Sequence, residues 1–120
     1  MVSILIVDDE PSIQFTFKQI LLAYGYKIAG IANNGEEAVN LFKSLLKKPD
    51  IILMDYRMPI KNGLEATKEI LQMDNNINII FTSADCSIKD AVLSLGAVGF
   101  QEKPFKIEKL IEIIQKTLRI

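Results

Sequence analysis

The sequence predicts a single α/β domain, residues 1–120, in which helices cover both faces of a parallel five-stranded sheet. Short, nearly all-apolar runs, typical of strands buried on both faces, alternate with amphipathic stretches along the whole chain. A length of 120 residues suits one compact domain. Strands that alternate with helices form a parallel sheet. With right-handed crossovers between the strands, the usual doubly wound order is 2-1-3-4-5, with five helices.

Five apolar runs are the predicted strands. The first is rich in β-branched residues, and the third ends directly at Asp55. The predicted strands are residues 2–7, 26–32, 51–54, 77–82 and 97–101.

Capping signals mark the first two helices. Pro11 suits a first helical turn and opens the first helix, which Gly25 ends. Asn34, with Glu37 three positions on, has the capping-box spacing and opens the second helix. Apolar residues at helical spacing predict the buried faces, namely Ile13, Phe17, Ile20, Leu21 and Tyr24, then Ala38, Leu41, Phe42 and Leu45.

Similar signals mark the remaining three helices. A turn at Asn62-Gly63 precedes a predicted helix over residues 64–72. Ser87 and Asp90 have the capping-box spacing and predict the start of a short fourth helix, which Gly96 closes. The last helix presents one apolar side, made of Ile107, Leu110, Ile111, Ile114 and Leu118.

Composition excludes several classes of function. The formal net charge of −1 argues against nucleic-acid binding, which requires a surplus of basic side chains. Cys86 is the only cysteine, so an internal disulfide is impossible and we expect a reducing, cytoplasmic location. Residues 1–3 lack a basic signal-peptide region, and the apolar runs are too short to span a bilayer, so we expect no membrane contact.

Polar side chains gather just beyond the predicted strand ends. Asp8 and Asp9 follow the first strand, Asp55 follows the third, a hydroxyl pair ends the fourth, and Lys103 follows the fifth. Because the carboxyl ends of parallel strands share one edge, we expect these groups to meet in the crevice where the strand order reverses.

The chemistry of this group favours phosphoryl transfer assisted by a metal ion. Three clustered carboxylates repel one another unless a proton or cation intervenes, and an all-oxygen set suits Mg²⁺. Lys103 and a hydroxyl would hold phosphoryl oxygens, and Asp55 would accept the phosphoryl group as an acyl phosphate. Taken singly, each residue has a simpler explanation as a helix cap, turn former or solvated lysine; their convergence favours the site.

Four segments together resemble the receiver domains of two-component response regulators, and the resemblance covers the whole chain. The specific stretch is Asp-x-x-Met-Pro-x-x-Asn-Gly after an apolar strand. The four segments are residues 4–10, residues 55–63, Ser83-Ala84 and Lys103-Pro104-Phe105.

The resemblance implies a flavodoxin-like fold and a phosphorylation switch. It implies that Asp55 accepts the phosphoryl group from a sensor histidine kinase or phosphotransfer protein, and that Lys103 contacts that group. It implies that Mg²⁺ is organised by Asp8, Asp9, Asp55 and the backbone carbonyl of Arg57. We also predict that the Lys103–Pro104 bond is cis, because a cis proline at this turn would aim the amine into the pocket.

The output side of the switch follows from the same resemblance. The family pattern of a hydroxyl residue followed by Ala selects Ser83 as the switch hydroxyl, with adjacent Thr82 as the alternative. Phe100 occupies the aromatic switch position, where the family often has Tyr, and we expect its ring to swing inward from solvent when Ser83 moves to the phosphoryl group. The implied output surface is the face of the fourth helix, fifth strand and fifth helix, used for a downstream protein or for a homodimer of the phosphorylated form.

Two other functions remain open at this stage. A magnesium-dependent phosphatase with an aspartyl nucleophile would place that nucleophile after the first strand with a second acid two residues on, whereas Asp8 and Asp9 are adjacent. A flavin-binding carrier would need a phosphate loop there, and the run Asp8-Asp9-Glu10 would repel an unmetallated phosphate. The chain reads as a stand-alone regulator, and a receiver cut from a longer protein would read the same.

Overall fold

The computed structural model describes residues 1–119, and a parallel five-stranded sheet forms its middle layer. The strands lie in the order β2-β1-β3-β4-β5, so the predicted fold class and strand order are confirmed. Their bounds are β1 (Ser3–Val7), β2 (Lys27–Ala32), β3 (Ile51–Met54), β4 (Asn78–Ser83) and β5 (Gly99–Glu102).

Helices connect successive strands and cover both faces of the sheet. Their bounds are α1 (Pro11–Ala23), α2 (Gly35–Ser44), α3 (Gly63–Met73), α4 (Lys89–Leu95) and α5 (Ile107–Leu118), with a 3-10 turn over Cys86–Ile88. None of the helices in residues 1–119 is long and apolar enough to cross a membrane.

Alternate residues of the central strands pack into two separate hydrophobic cores, one on each face of the sheet. Leu5 and Ile52 point to the side covered by α2, α3 and α4, whereas Ile4 and Ile51 point to the side covered by α1 and α5. All four side chains are fully buried, as expected for strands that are covered on both faces.

The start of the fourth helix differs from the prediction. Ser87 does not cap it; its amide and hydroxyl both donate to the carboxylate of Asp85. Asp85 thereby caps the 3-10 turn, and α4 begins only at Lys89, after Ile88, which makes no side-chain capping bond. A capping side chain two residues upstream of Ser87 therefore displaces the predicted capping box.

Two apolar residues predicted to face the core lie at helix ends instead. Tyr24 is 50% exposed and Ile107 is 42% exposed. Tyr24 is the C-cap of α1 and Ile107 is the first residue of α5, so helical spacing no longer aims either side chain at the sheet.

Candidate functional site

The carboxyl ends of four strands meet at one edge of the sheet, as predicted. The amide of Asp55 donates to the carbonyl of Val7 (3.0 Å), and the amide of Lys103 donates to that of Ser83 (2.8 Å), so backbone bonds fasten the four strand ends in pairs. A cavity of about 610 Å³ opens there. It is lined by Asp9, Glu10, Asp55, Arg57, Ser83, Ala84, Asp85, Ser87 and Lys103.

Lys103 links two of the predicted acidic residues. Its Nζ lies 2.7 Å from Oδ2 of Asp8 and 3.7 Å from Oδ1 of Asp55. The Asp8 side chain is only 1% exposed, so this charge-assisted hydrogen bond is shielded from water. The Lys103–Pro104 peptide bond, which the sequence predicts to be cis, is cis.

Asp55 is a buried carboxylate with a raised affinity for protons. Burial raises its pKa from 3.8 to about 6; the nearby charges of Asp8 and Asp9 act in the same direction, and Lys103 and the Tyr56 amide oppose them. The Tyr56 amide donates to Oδ1 of Asp55 (2.9 Å). Gly63 packs against the Asp55 carbonyl, where a Cβ atom would not fit.

Three consecutive acids form a group that can hold a metal ion. Carboxylate oxygens of Asp8, Asp9 and Glu10 all lie within 4.8 Å of one another. Glu10 was not predicted as a metal ligand, although it directly follows the acid pair in the sequence. Asp55, a predicted ligand, lies outside this group and is placed beside Lys103 instead.

The two candidate switch hydroxyls are separated by the pleat of β4. Both residues are buried, but Ser83 lines the site cavity and Thr82 does not. Ser83 Oγ accepts a hydrogen bond from the amide of Asp85 (3.1 Å). The geometry therefore favours Ser83 as the hydroxyl that a bound group would meet, and its switch role remains a prediction.

An ion pair that the sequence analysis missed joins two residues that line the cavity. Nη2 of Arg57, in the loop after β3, lies 2.8 Å from Oδ2 of Asp85, in the loop after β4. Hydrogen bonds from Ser87, together with Arg57, hold the pKa of Asp85 below its ordinary value. No sequence signal pairs these residues, because they are 28 positions apart on different loops.

Phe100 lies outside the site cavity. It is half-buried in β5, where it pairs in register with Phe81 of β4 and packs against the core on the α4 side of the sheet. The structure thus places this predicted switch residue next to the core rather than in solvent.

An apolar groove of about 400 Å³ adjoins the site between α1 and the start of α5. It shares Ala84 and Lys103 with the site cavity, so the groove and the cavity are neighbouring surfaces. Its other lining residues are Ile13, Thr16, Phe17, Ile20, Pro104, Phe105, Ile107 and Leu110.

Comparison with known families identifies this arrangement. The family model for the response regulator receiver domain matches residues 4–115. This chain belongs to the response regulator receiver family. Receiver domains are phospho-acceptor signalling domains of two-component systems and not classical enzymes.

The relatives of this receiver domain include chemotaxis proteins. It is 41% identical over 116 residues to the chemotaxis protein CheY of Thermotoga maritima, covering 94% of both chains. It superposes with a TM-score of 0.89 on the response regulator TrrA of Thermotoga maritima in complex with Mg²⁺-BeF, at 36% identity over 98% of this chain and 100% of that one. The CheX–CheY–BeF₃–Mg²⁺ complex of Borrelia burgdorferi gives a TM-score of 0.93 at 30% identity, covering 99% of this chain and 90% of that chain.

Proposed function

We propose that this receiver domain accepts a phosphoryl group on Asp55, with Mg²⁺ as cofactor, and relays the change to a partner protein. The observation that carries the proposal is the position of Asp55. It is the acid that directly follows β3, beside the ammonium group of Lys103 and in the same cavity as Asp9 and Glu10.

Phosphoryl transfer to Asp55 depends mainly on the placement of charged groups around the reacting atoms. An ionised Asp55 oxygen forms a bond to phosphorus, while the bond from phosphorus to the donor nitrogen or oxygen breaks and its electron pair leaves with the donor. With a pKa of about 6, Asp55 is mostly ionised at neutral pH. Lys103 supplies positive charge at Asp55, and Ser83 supplies a hydroxyl at the same cavity.

The donor set fits a hard divalent cation. The acidic group offers only carboxylate oxygens, the chain contains no histidine, and its one cysteine is exposed outside the group. Asp8, Asp9, Asp55 and the carbonyl of Arg57 would hold the ion, with Glu10 next to them. Bound Mg²⁺ would neutralise phosphoryl charge in the transition state.

We propose that the donor is a sensor histidine kinase or a phosphotransfer protein that docks on the groove beside the site. Apolar side chains almost completely line this groove, and Lys103 belongs to both surfaces. A protein seated there would bring a phosphorylated side chain to the cavity. This contact would exclude water from the reacting groups.

We propose that the output surface is the face formed by α4, β5 and α5. Leu93 is 38% exposed and Val98 is 48% exposed in this region, which offers apolar contacts to a downstream protein or to a second copy of the phosphorylated chain. Phe100 lies in the strand of this face.

Phosphorylation by a small donor tests the proposed function. We expect incubation with acetyl phosphate and MgCl₂ to add one phosphoryl group, detected by intact-protein mass spectrometry, and EDTA to prevent it. Asp55→Asn should abolish the mass increase, whereas the exposed control Asp90→Asn should keep it. A mass increase that persists in Asp55→Asn would disprove the acceptor assignment.

A further inference from the structure

Asp8 is hydrogen-bonded at every polar atom, by partners in β2, at the start of α1 and in the loop after β5. Its amide donates to the carbonyl of Ala32 (3.1 Å), and its carboxylate accepts from the Glu10 amide (3.0 Å) and from Lys103 (2.7 Å). Its carbonyl accepts from Nε2 of Gln14 (2.6 Å). A ligand that takes the carboxylate would leave the backbone bonds to Ala32 and Gln14 in place.

Gln14 is also the first member of a hydrogen-bond chain that reaches α2. Its Nε2 donates to Oδ1 of Asn33 (2.7 Å), and Asn33 donates from both its amide (3.0 Å) and Nδ2 (2.9 Å) to Oε1 of Glu37. An ionised carboxylate can only accept, so the direction of this chain is fixed. Glu37 lies in the first turn of α2, and its amide donates to Oδ1 of the N-cap residue Asn34 (2.9 Å).

The same turn of α2 contacts the loop that follows Asp55. The Gly35 amide donates to the Lys61 carbonyl (2.9 Å), and Nζ of Lys61 lies 3.2 Å from the Glu36 carboxylate while also pairing with Glu69. A Cβ atom on Gly35 would lie 2.5 Å from the Lys61 carbonyl oxygen. Glycine therefore permits the close approach of loop and helix.

The loop after β3 needs this support because part of it is strained. Ile60 has φ of 71°, a left-handed conformation that is costly for a β-branched residue. The Lys61 amide donates to the Pro59 carbonyl (2.7 Å), which closes a tight turn around Ile60. Such strain persists only where surrounding contacts hold it.

We infer that the first turn of α2, residues 35–37, couples the loop that carries Asp8 and Asp9 to the loop that follows Asp55. Gln14 and Lys61 are positioning residues at the two ends of this coupling. Neither side chain bonds the carboxylate of Asp8, Asp9 or Asp55. The Gln14 side chain donates to the Asp8 carbonyl, and the Lys61 side chain pairs with acids of α2 and α3. The inference rests on the proposed function, because it states how the Mg²⁺ site is held in shape.

Magnesium titration tests this coupling. We expect Gln14→Met and Lys61→Met each to weaken Mg²⁺ binding by roughly tenfold, since partners that orient metal ligands have effects of this size. Titration of the ¹⁵N-labelled chain with MgCl₂, monitored by NMR, measures the affinity. The double variant should weaken binding by less than the product of the two effects, because both act through one turn. Lys61→Arg, which keeps the ion pairs, should restore most of the affinity.

Two matched controls lie outside the coupling. Gln19→Met changes an exposed glutamine of α1, and Lys48→Met removes a lysine that bonds carbonyls at the other end of α2. Both should bind Mg²⁺ as the wild type does. Affinity within twofold of the wild type in Gln14→Met or Lys61→Met, or a double variant equal to the product, would overturn the inference.

Amide exchange separates failure of this inference from failure of the proposed function. A wild-type chain that did not bind Mg²⁺ would refute the proposed function alone. In EDTA, Lys61→Met should still speed hydrogen exchange at the Glu10 amide by about fivefold, because loosening one loop loosens the other through α2. An unchanged exchange rate at Glu10 would disprove the coupling whether or not metal binds.

Discussion

Lys103 donates a 2.7 Å hydrogen bond to the carboxylate of Asp8, a residue 95 positions earlier in the chain. The bond joins the loop after β5 to the end of β1, past the ends of β3 and β4, which lie between them in the sheet. Its ammonium group also lies 3.7 Å from Asp55, so one cation balances two buried carboxylates.

Removal of this cation should destabilise the fold. Lys103→Met leaves the fully buried Asp8 carboxylate without its charge partner, and we expect a loss of about 3 kcal/mol in the free energy of unfolding in EDTA. Urea denaturation measures the loss. Exposed Lys106→Met should change stability by less than about 0.5 kcal/mol, and Asp8→Asn should recover most of the loss when combined with Lys103→Met. An unchanged stability in Lys103→Met would contradict this account.

Asp55→Asn should stabilise the metal-free protein, and the gain should depend on pH. The folded-state pKa is raised from 3.8 to about 6, so the charged form is disfavoured on folding and wild-type stability falls as pH rises from about 4 to about 6. At pH 7 we expect the free energy of unfolding of Asp55→Asn to exceed that of the wild type by about 1 to 3 kcal/mol.

The difference should shrink toward zero as the pH falls well below 3.8, the ordinary pKa of this carboxyl, because Asp55 is then protonated in both the folded and unfolded states. Urea titrations of the wild type and Asp55→Asn in EDTA, at pH 7 and in this acidic range, measure the difference in the free energy of unfolding. Exposed Glu112→Gln serves as the control, for which we expect little difference at either pH. A gain that is equal at both pH values would exclude burial of charge at Asp55 as its cause.

Ser83→Ala should uncouple phosphorylation from the conformational response, whereas Thr82→Ala should not. Only Ser83 lines the site cavity, because consecutive residues of β4 point to opposite faces. We expect beryllofluoride with MgCl₂ to shift the amide NMR signals of α4 and β5 in Thr82→Ala and to leave them nearly unchanged in Ser83→Ala. The reverse pattern would show that the switch hydroxyl is Thr82.

The strand order and the convergence at the site could be predicted because alternating strands and helices with right-handed crossovers leave few topologies open. Alternation of apolar runs with amphipathic stretches predicted the parallel sheet, and the polar residues beyond each strand then had to share one edge. Asp8, Asp55, Ser83 and Lys103 accordingly lie where the sequence indicated.

The contacts between loops could not be predicted. Arg57 pairs with Asp85, and Gln14 reaches the Asp8 carbonyl, through side-chain geometry that no spacing along the chain encodes. The predicted start of α4 at Ser87 was wrong for a local reason, because Ser87 donates its hydrogen bonds to the Asp85 carboxylate, which caps the 3-10 turn instead. Phe100 was expected in solvent and is half-buried, since β5 lies against the α4 side of the core.

Relief of the strain at Ile60 should stabilise the protein. Ile60 is 81% exposed and has φ of 71°, so Ile60→Asn loses little packing and places a residue that tolerates the left-handed conformation. We expect the free energy of unfolding to rise by about 1 kcal/mol. Leu46→Asn, at a fully exposed apolar residue without positive φ, should change it by less than about 0.5 kcal/mol. A loss of stability in Ile60→Asn would show that the isoleucine side chain is itself needed.

Phe100 should report the active state by moving further into the protein. Its ring is half-buried against the core that Ile88 and Met58 also contact, and these two residues belong to the segments after β4 and β3 that border the site. Movement of Ser83 toward a phosphoryl group would shift the segment after β4 and open space beside the ring. A phenyl ring has no hydroxyl to hold it at the surface, so little opposes burial.

Because the switch is a shift between two populations, the inward state should be a minority before phosphorylation and dominant with the beryllofluoride mimic and MgCl₂. Aromatic NMR signals of selectively labelled phenylalanines measure this, with the 64% exposed Phe15 on α1 as a ring that should not respond. Phe100 signals that are identical in both states would leave this residue as static packing, and the output surface would then have to be sought away from β5.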